Sequence, residues 1–237
     1  MSKLKVYFNE FNITMGRYSY LPLVSGILRA YADTDPLIRD AYEFAPFLYK
    51  MDSVANIVDA YDNPAVAAFS VSMWNERLNL RVAEEVKKRW PRCLVVFGGC
   101  HVPFLPKAYM QEHQQIDICV RANGEDTFRD ILRSWTQFRD VCGVIGITFR
   151  DGGNLISDVD ERPAVKDLDV YPSPYLTGVF DYLIAEHTGN HRFQAILESN
   201  RNCPFPCLSG DTLIHTETGR IPIKDLINKG EFSVFSN

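Results

Sequence analysis

The sequence lacks an excess of positive charge and lacks any long apolar run. Its 237 residues contain 25 Lys and Arg against 30 Asp and Glu, a formal net charge of −5, whereas nucleic-acid-binding domains normally carry a basic patch. The longest apolar runs, such as residues 65–74, are much shorter than the roughly 20 residues of a membrane span. We therefore expect neither nucleic acid nor a membrane as a partner.

The common nucleotide-binding fingerprints are also missing. There is no G-x-G-x-x-G and no phosphate loop, so the standard dinucleotide and nucleoside triphosphate motifs are excluded. The first ten residues turn acidic directly after a short apolar stretch, unlike a signal peptide. Four cysteines stand singly in apolar segments, which predicts reduced, buried thiols and a cytoplasmic location; they are Cys93, Cys100, Cys119 and Cys142.

The first 150 residues alternate apolar runs with segments of helical spacing. Residues 65–73 and 93–99 are continuous apolar runs, as expected of strands buried on both faces of a parallel sheet. Between them, a helix is predicted from the capping candidate Asn75 to Pro91. This alternation predicts an α/β fold with a doubly wound, mostly parallel sheet. Ligands of such sheets bind beyond the carboxyl ends of the strands, so the loops there are the candidate site.

Two of these loops carry a recognisable pattern. Segments SVSMWN, VVFGGCHVPFLP and ICVRANGEDTFRDIL follow one another in an order that resembles the cobalamin-binding domain of many radical S-adenosylmethionine (SAM) enzymes. Gly-Gly-x-His after one strand and Gly-Glu after the next are the motifs that match. The resemblance implies that cobalamin lies over these strand ends, close to Ser70, Ser72, Gly98, Gly99 and Gly124.

The sequence departs from other cobalamin proteins at one point. The Asp-x-His-x-x-Gly motif, which supplies a histidine to cobalt in those proteins, is nowhere in the chain. The resemblance therefore implies a cobalamin without that ligand, and we expect His101 to be hydrogen-bonded locally instead. A different class of function stays open: a stand-alone cobalamin- or nucleotide-binding sensor module with an unrelated tail.

A proline-rich linker is predicted at residues 151–192, and a new strand begins at residue 193. It leads into ESNRNCPFPC, which resembles the start of the radical SAM signature Cys-x-x-x-Cys-x-x-Cys. The resemblance implies that Cys203 binds a four-iron four-sulfur cluster, whose open iron binds SAM, because thiolates hold such clusters. Structural cysteines or a zinc site are the competing interpretations. Ser209 and Gly210 stand where the third cysteine would fall.

The tail from Cys207 resembles the amino-terminal splicing block of an intein. Its Cys, its Gly-Asp-Thr-Leu run and its Gly-x-x-Pro-Ile-x-x-Leu run match that block; the matching residues are Cys207, Gly210, Asp211, Thr212, Leu213, Gly219, Pro222, Ile223 and Leu226. The resemblance implies that the Cys207 thiol attacks the Pro206 carbonyl. The Thr-x-x-His and terminal His-Asn blocks are not in the sequence, and we assign neither His215 nor Asn237 to them.

Together these features predict four segments: a cobalamin-type domain at 1–150, a linker at 151–192, the start of a radical SAM barrel at 193–206 and an intein segment at 207–237. Radical chemistry on a small organic or peptide substrate, such as methyl transfer, is expected only after splicing. The expected partner is a complementary C-terminal intein and extein chain, if the intein is split. An autoprocessing domain of the hedgehog type is a further alternative.

Overall fold

The computed structural model describes residues 2–157, 162, 165, 167–186, 192–198 and 212–226. The chain divides into two compact units, residues 1–196 and 197–237. The strands of the first unit are β1 (Leu4–Asn12), β2 (Tyr18–Tyr20), β3 (Tyr42–Phe44), β4 (Leu48–Lys50), β5 (Pro64–Ser70), β6 (Leu94–Gly98), β7 (Ile118–Val120), β8 (Ile147–Asp151), β9 (Asn154–Ser157) and β10 (Arg192–Gln194). Its helices are α1 (Leu23–Ala32), α2 (Pro36–Ala41), α3 (Val54–Asp59), α4 (Glu76–Arg89), α5 (Lys107–Glu112), α6 (Gly124–Phe138) and α7 (Asp181–Glu186), with a 3-10 helix at Leu168–Val170.

Eight strands form one sheet, in the order β3-β1-β5-β6-β7-β8-β9, with β4 also paired to β1. The pairs from β3 and β4 through β7 are parallel. Because the chain leaves β1 in one direction to reach β3 and β4 and returns to the other side for β5, the strand order reverses between β1 and β5. Such a switch point opens a crevice at the carboxyl ends of the two strands.

The sheet is covered on both faces. Along β1, Val6 and Phe8 belong to one core cluster, together with Ile131 of α6. The alternate residue Tyr7 belongs to a second cluster, which includes Val82 of α4. This alternation follows from the opposite orientation of successive side chains in a strand. The described part of the first unit is thus a three-layer α/β fold, as its sequence predicts.

The edge of the sheet formed by β8 and β9 is antiparallel, whereas the rest of the sheet is parallel. Strand β8 pairs with β7 in the antiparallel direction and continues into the hairpin strand β9. The connection after α6 carries the chain back to the carboxyl end of β7, where the Arg121 N–H donates to the Gly146 carbonyl at 3.0 Å. Since β8 starts from that end, it can only run against β7. The turn between β8 and β9 lies at Gly152 and Gly153, both with positive φ.

The described residues between β9 and the end of β10 belong to the first unit and pack against its other elements. The Phe180 ring is 2% exposed and joins the core cluster on the α1 and α6 face. It lies against Gly26 of α1, where a Cβ would be 2.2 Å from its Cζ atom. The strand predicted from residue 193 is shorter than expected: β10 ends at Gln194, residues 195–198 are not in a strand, and β10 pairs in parallel with β2. Part of the segment predicted as a linker therefore contributes directly to the core.

In the second unit, the described residues form a β-hairpin and a short helix. Strand β11 (Leu213–Thr216) pairs antiparallel with β12 (Gly219–Pro222), and a 3-10 helix follows at Ile223–Leu226. The Thr216 hydroxyl donates to the Gly219 carbonyl at 2.9 Å and closes the turn. Among the described residues of either unit, no helix has the length and apolar character that a membrane crossing requires.

Candidate ligand-binding site

The carboxyl ends of β5 and β6 bring four of the predicted site residues together. Ser70 ends β5 and pairs with Gly98, the last residue of β6. Ser72 and Gly99 lie in the loops that follow these two strands. Gly124 begins α6, just after the neighbouring strand β7. All five predicted residues therefore lie beyond or at the carboxyl ends of three adjacent strands, which we call the carboxyl edge.

At this edge, the loop after β6 passes directly over the loop after β5. Gly99 has a φ of +113°, and a Cβ there would lie 2.6 Å from the Val71 carbonyl oxygen and 2.8 Å from the Val71 nitrogen. The Val71 N–H donates to the Gly98 carbonyl at 2.7 Å. Only glycine satisfies both the left-handed conformation and the close approach. The Gly-Gly pair is thus required by the crossing of the two loops.

Two buried asparagines tie the carboxyl ends of β1 and β5 together. The Asn75 amide nitrogen donates to the carbonyl oxygens of Phe11 and Ser70, both at 3.0 Å. Its amide oxygen accepts from the Ser72 N–H at 2.8 Å and from the Asn79 side chain at 3.0 Å. The sequence predicts Asn75 as the cap of α4, but its side chain makes no capping bond. It faces inward because the two strand ends offer carbonyl groups that need donors.

An exposed apolar group surrounds the strand ends. Large apolar side chains normally avoid water when they cluster, so a group of this kind marks a ligand or partner surface. Met73 is 76% exposed, Phe104 63% and Leu105 74%. The complete set, which we call the apolar rim, comprises Ile13 and Met15 after β1, Met73 and Trp74 after β5, and Phe104 and Leu105 after β6.

A buried carboxylate lies near the end of β1. Glu10 is 6% exposed and accepts the backbone N–H of Ser25, at 2.7 Å, in the first turn of α1. Helix α1 has Pro22 at its N-cap and no side-chain cap of its own, so Glu10 supplies this acceptor from the neighbouring strand. Burial raises the pKa of Glu10 to about 7, although hydrogen bonds from Ser25 and Val24 oppose that rise. The sequence contains no local signal for this contact.

The cysteines separate into two kinds. Cys93 and Cys119 are buried, and burial raises the pKa of each thiol to about 12. Cys100 and Cys142 are exposed, so their predicted burial is wrong. Both lie in connections after an element ends, and not within the apolar strands beside them. Among the described residues, no three His, Cys, Asp or Glu side chains form a metal-binding group. Cys203 and Cys207 lie outside the described residues.

A large cleft lies at the opposite, amino-terminal ends of the same strands. Its volume is 1010 Å³, and residues of β1, β5, β6 and β7 line it. Four of its charged side chains form two ion pairs: Lys5 with Asp62, and Lys87 with Asp117 at 2.6 Å. Lys87 also donates to the Cys93 carbonyl at 2.9 Å. Because these groups satisfy each other, the cleft offers fewer free polar groups than its size suggests, and we place the site at the carboxyl edge.

Comparison with known proteins gives matches to cobalamin-related proteins. Residues 24–132 match the family model of the B12 binding domain. The chain is 36% identical over 205 residues to the cobalamin-dependent radical SAM methyltransferase TokK of Streptomyces tokunonensis, and likewise to the 2-(S-pantetheinyl)-carbapenam-3-carboxylate methyltransferase of Streptantibioticus cattleyicolor. Each match covers 86% of this chain but only 29% of the relative, so the chain spans less than a third of their length.

A solved structure gives the same fold. The cobalamin-dependent SAM radical enzyme OxsB with aqua-cobalamin bound superposes with a TM-score of 0.56 and 16% sequence identity. The superposition covers 76% of this chain and 25% of that one. In sequence, residues 24–132 resemble the B12 binding domain, and the chain is similar to cobalamin-dependent radical SAM methyltransferases over most of its own length.

Proposed function

We propose that residues 1–150 bind cobalamin over the carboxyl edge of the sheet, as part of a radical SAM enzyme that transfers a methyl group to a small organic or peptide substrate. The observation that carries the cobalamin proposal is the crossing of the β5 and β6 loops, where Gly98 and Gly99 leave backbone and no side chain beside the switch point. The TokK and carbapenam methyltransferase relatives support the reaction class.

The residues at this edge suit the chemistry of cobalamin. A corrin has broad faces with apolar groups and a rim of amides, and its nucleotide tail carries a phosphate. The apolar rim offers the apolar groups of the corrin a surface of exposed Met, Trp, Phe and Leu side chains. The half-buried hydroxyls of Ser70 and Ser72 offer hydrogen bonds to the polar groups. When bound, cobalamin supplies the methyl group; the part of this chain is to hold and orient it.

Titration of hydroxocobalamin into the full chain tests this proposal. We expect cobalamin to be retained through gel filtration at micromolar protein, with a change in its absorption spectrum. Gly99→Val places a side chain against Val71 and should abolish retention. Gly153→Val is the matched control, because Gly153 also has a positive φ but has open space around it. Circular dichroism verifies that each variant is folded. Wild-type chain that fails to retain cobalamin contradicts the proposal.

We also propose that the carboxyl-terminal part of the chain is an enzyme segment interrupted by an intein. Residues 151–192 connect the sheet to the enzyme domain and dock on the core through Phe180, 193–206 begin the radical SAM domain and 207–237 begin the intein. In the spliced product Cys203 binds an iron of the four-iron four-sulfur cluster, whose open iron binds SAM. The partner is then a complementary C-terminal intein and extein chain. The support is the sequence pattern around Cys207, together with the hairpin of β11 and β12 in the segment that follows.

The first splicing step follows from the chemistry of a thiol. The Cys207 sulfur bonds to the Pro206 carbonyl carbon, the C–N bond breaks, and the proton of the thiol ends on the freed Cys207 amino group. A reducing compartment suits such a free thiol, and we propose a cytoplasmic location. Further radical chemistry requires the cysteine that follows the insertion to complete the cluster motif.

Cleavage by hydroxylamine tests the intein proposal. With a complementary intein segment supplied, hydroxylamine should cleave the chain after Pro206, and mass spectrometry identifies the product. Cys207→Ala should abolish the cleavage. Cys203→Ala is the matched control, since it removes the neighbouring thiol of the same motif but leaves the attacking one. Cleavage that persists in Cys207→Ala, or that is lost equally in Cys203→Ala, contradicts the assignment.

A further inference from the structure

One histidine at the carboxyl edge faces away from the strand ends and towards the first residue of α4. The His101 Nε2 atom lies 3.3 Å from the Glu76 Oε2 atom. His101 is in the loop after β6, whereas Glu76 follows the loop after β5. The pair therefore joins the two loops that cross at Gly99. The side chain of His101 is 43% exposed and that of Glu76 is 25% exposed.

The backbone of His101 is fixed at the same crossing. Its N–H donates to the Val71 carbonyl at 3.2 Å, and the Val102 N–H donates to the Gly99 carbonyl at 3.2 Å. The Val71 carbonyl is the same group that excludes a Cβ from Gly99. The β6 loop is thus attached to the β5 loop twice, once through its backbone and once through the His101 side chain.

A third element faces the Glu76 carboxylate. Tyr109 of α5 has a buried hydroxyl with no hydrogen-bond partner within normal distance among the described residues. Burial raises the pKa of this phenol, and the nearby Glu76 carboxylate raises it further. Glu76 therefore lies near Tyr109, and its contact with His101 links α4 to the loop after β6.

We propose that His101 is a positioning residue: through Glu76 it holds the β6 loop over the β5 loop, so that the carboxyl edge is formed before its ligand arrives, and it does not coordinate the ligand. The pair stabilises a loop that would otherwise lose conformational freedom on binding, and preorganisation of this kind lowers the cost of association. The link to cobalamin affinity rests on the proposed function above; the link to loop order does not.

Two measurements separate these claims. The first is amide hydrogen exchange of peptides covering residues 99–105 in the cobalamin-free full chain. His101→Phe and Glu76→Gln should each speed this exchange by about threefold to fivefold, the range that a partly exposed polar contact provides. The double variant should add little to either single variant, because both remove the same contact. His101→Gln, which keeps a donor for Glu76, should restore most of the protection.

The second measurement is hydroxocobalamin affinity and spectrum. His101→Phe and Glu76→Gln should raise the Kd by about threefold to fivefold and leave the spectrum of bound cobalamin unchanged. The matched controls are His215→Phe, an exposed histidine of the second unit, and Glu84→Gln, which breaks an exposed ion pair with Lys88 farther along α4. Both controls should match the wild type in both measurements.

The outcomes are distinct. Faster exchange in the variants, without cobalamin binding by the wild type, supports the positioning role and contradicts the proposed ligand. Unchanged exchange in His101→Phe overturns the positioning role, whatever binds. A changed spectrum of bound cobalamin in His101→Phe also overturns it, because that result means that the imidazole reaches the cobalt.

Discussion

The Glu10 carboxylate accepts the backbone N–H of Ser25 at 2.7 Å, so a strand residue provides the cap of the following helix. The contact stabilises the first turn of α1, whose N–H groups have no intrahelical acceptor. It also places an ionisable group in a buried position beside the carboxyl edge. Burial favours the protonated form of Glu10. The protonated carboxyl accepts the Ser25 N–H less strongly than the carboxylate does, so burial weakens the cap.

The free energy of unfolding should therefore fall as the pH rises through the pKa of Glu10. The pKa of Glu10 is raised from 4.5 to about 7 on folding, since burial penalises its charge. The folded state then binds the proton more tightly, so the stabilisation is fully present below pH 4.5 and is lost as the pH rises through 7. The loss is on the order of 2–3 kcal/mol. Urea unfolding of wild type and Glu10→Gln between pH 5 and 8 measures it.

In Glu10→Gln the free energy of unfolding should vary less across that window, because the amide does not titrate. Glu43→Gln on the neighbouring strand β3 is the control, since Glu43 is exposed and its variant should keep the wild-type pH dependence. A Glu10→Gln variant with the same slope as the wild type would show that Glu10 titrates normally in the folded chain.

Gly99→Ala should destabilise the chain more than Gly153→Ala does. Both positions have positive φ, so both variants carry a conformational cost of about 1–2 kcal/mol. At Gly99 the new Cβ would also lie 2.6 Å from the Val71 carbonyl oxygen, and relief of that overlap costs about 1–3 kcal/mol more. Chemical denaturation of the two variants measures the difference. Equal losses would mean that the β5 and β6 loops separate easily.

Much of the sheet is predictable because its signals are local. Strands β5 and β6 are continuous apolar runs, and α4 has apolar residues at helical spacing, so each is visible within about fifteen residues. The glycines that permit the loop crossing are equally visible after β6. For these elements the local pattern and the tertiary environment favour the same structure.

Other features depend on contacts between distant parts of the sequence. Asn75 is read locally as a helix cap, but the carbonyl of Phe11, 64 residues away, turns its side chain inward. The direction of β8 depends on where the connection after α6 ends, at Gly146 beside Arg121. Phe180 is in a proline-rich stretch with no periodicity, yet Gly26 of α1 provides its place in the core. No local pattern carries such information.

Asn75→Asp should cost about 2–5 kcal/mol. The carboxylate cannot donate to the Phe11 and Ser70 carbonyl groups, and a charge would be buried at a position that is 2% exposed. Asn56→Asp is the matched control: Asn56 is exposed on α3 and its side chain donates at 2.9 Å only to the exposed Asp52, so the loss of that bond and the new like-charge contact should cost less than about 1 kcal/mol. Thermal and urea unfolding compare the two. An Asn75→Asp variant as stable as the control would show that the strand ends do not need these donors.

Gly26→Ala should destabilise the chain, although alanine normally stabilises a helix interior by about 1 kcal/mol relative to glycine. The new Cβ would lie 2.2 Å from the Phe180 Cζ atom and 3.0 Å from the Pro174 Cβ atom, and overpacking of this kind costs about 1–3 kcal/mol. A smaller side chain at position 180 removes the main overlap. The double variant Gly26→Ala with Phe180→Leu should therefore lose less stability than the sum of the two single variants.

A double-mutant cycle in urea measures that coupling. The coupling free energy tests the packing directly, because Gly26 and Phe180 interact only if residues 171–183 dock on α1 as part of the core. A Gly26→Ala variant more stable than the wild type, or strictly additive losses, would mean that the ring of Phe180 leaves α1 in solution. A coupling of about 1 kcal/mol or more, in contrast, would establish that the stretch after β9 folds with the sheet of the first unit and is a fixed part of its α1 and α6 layer.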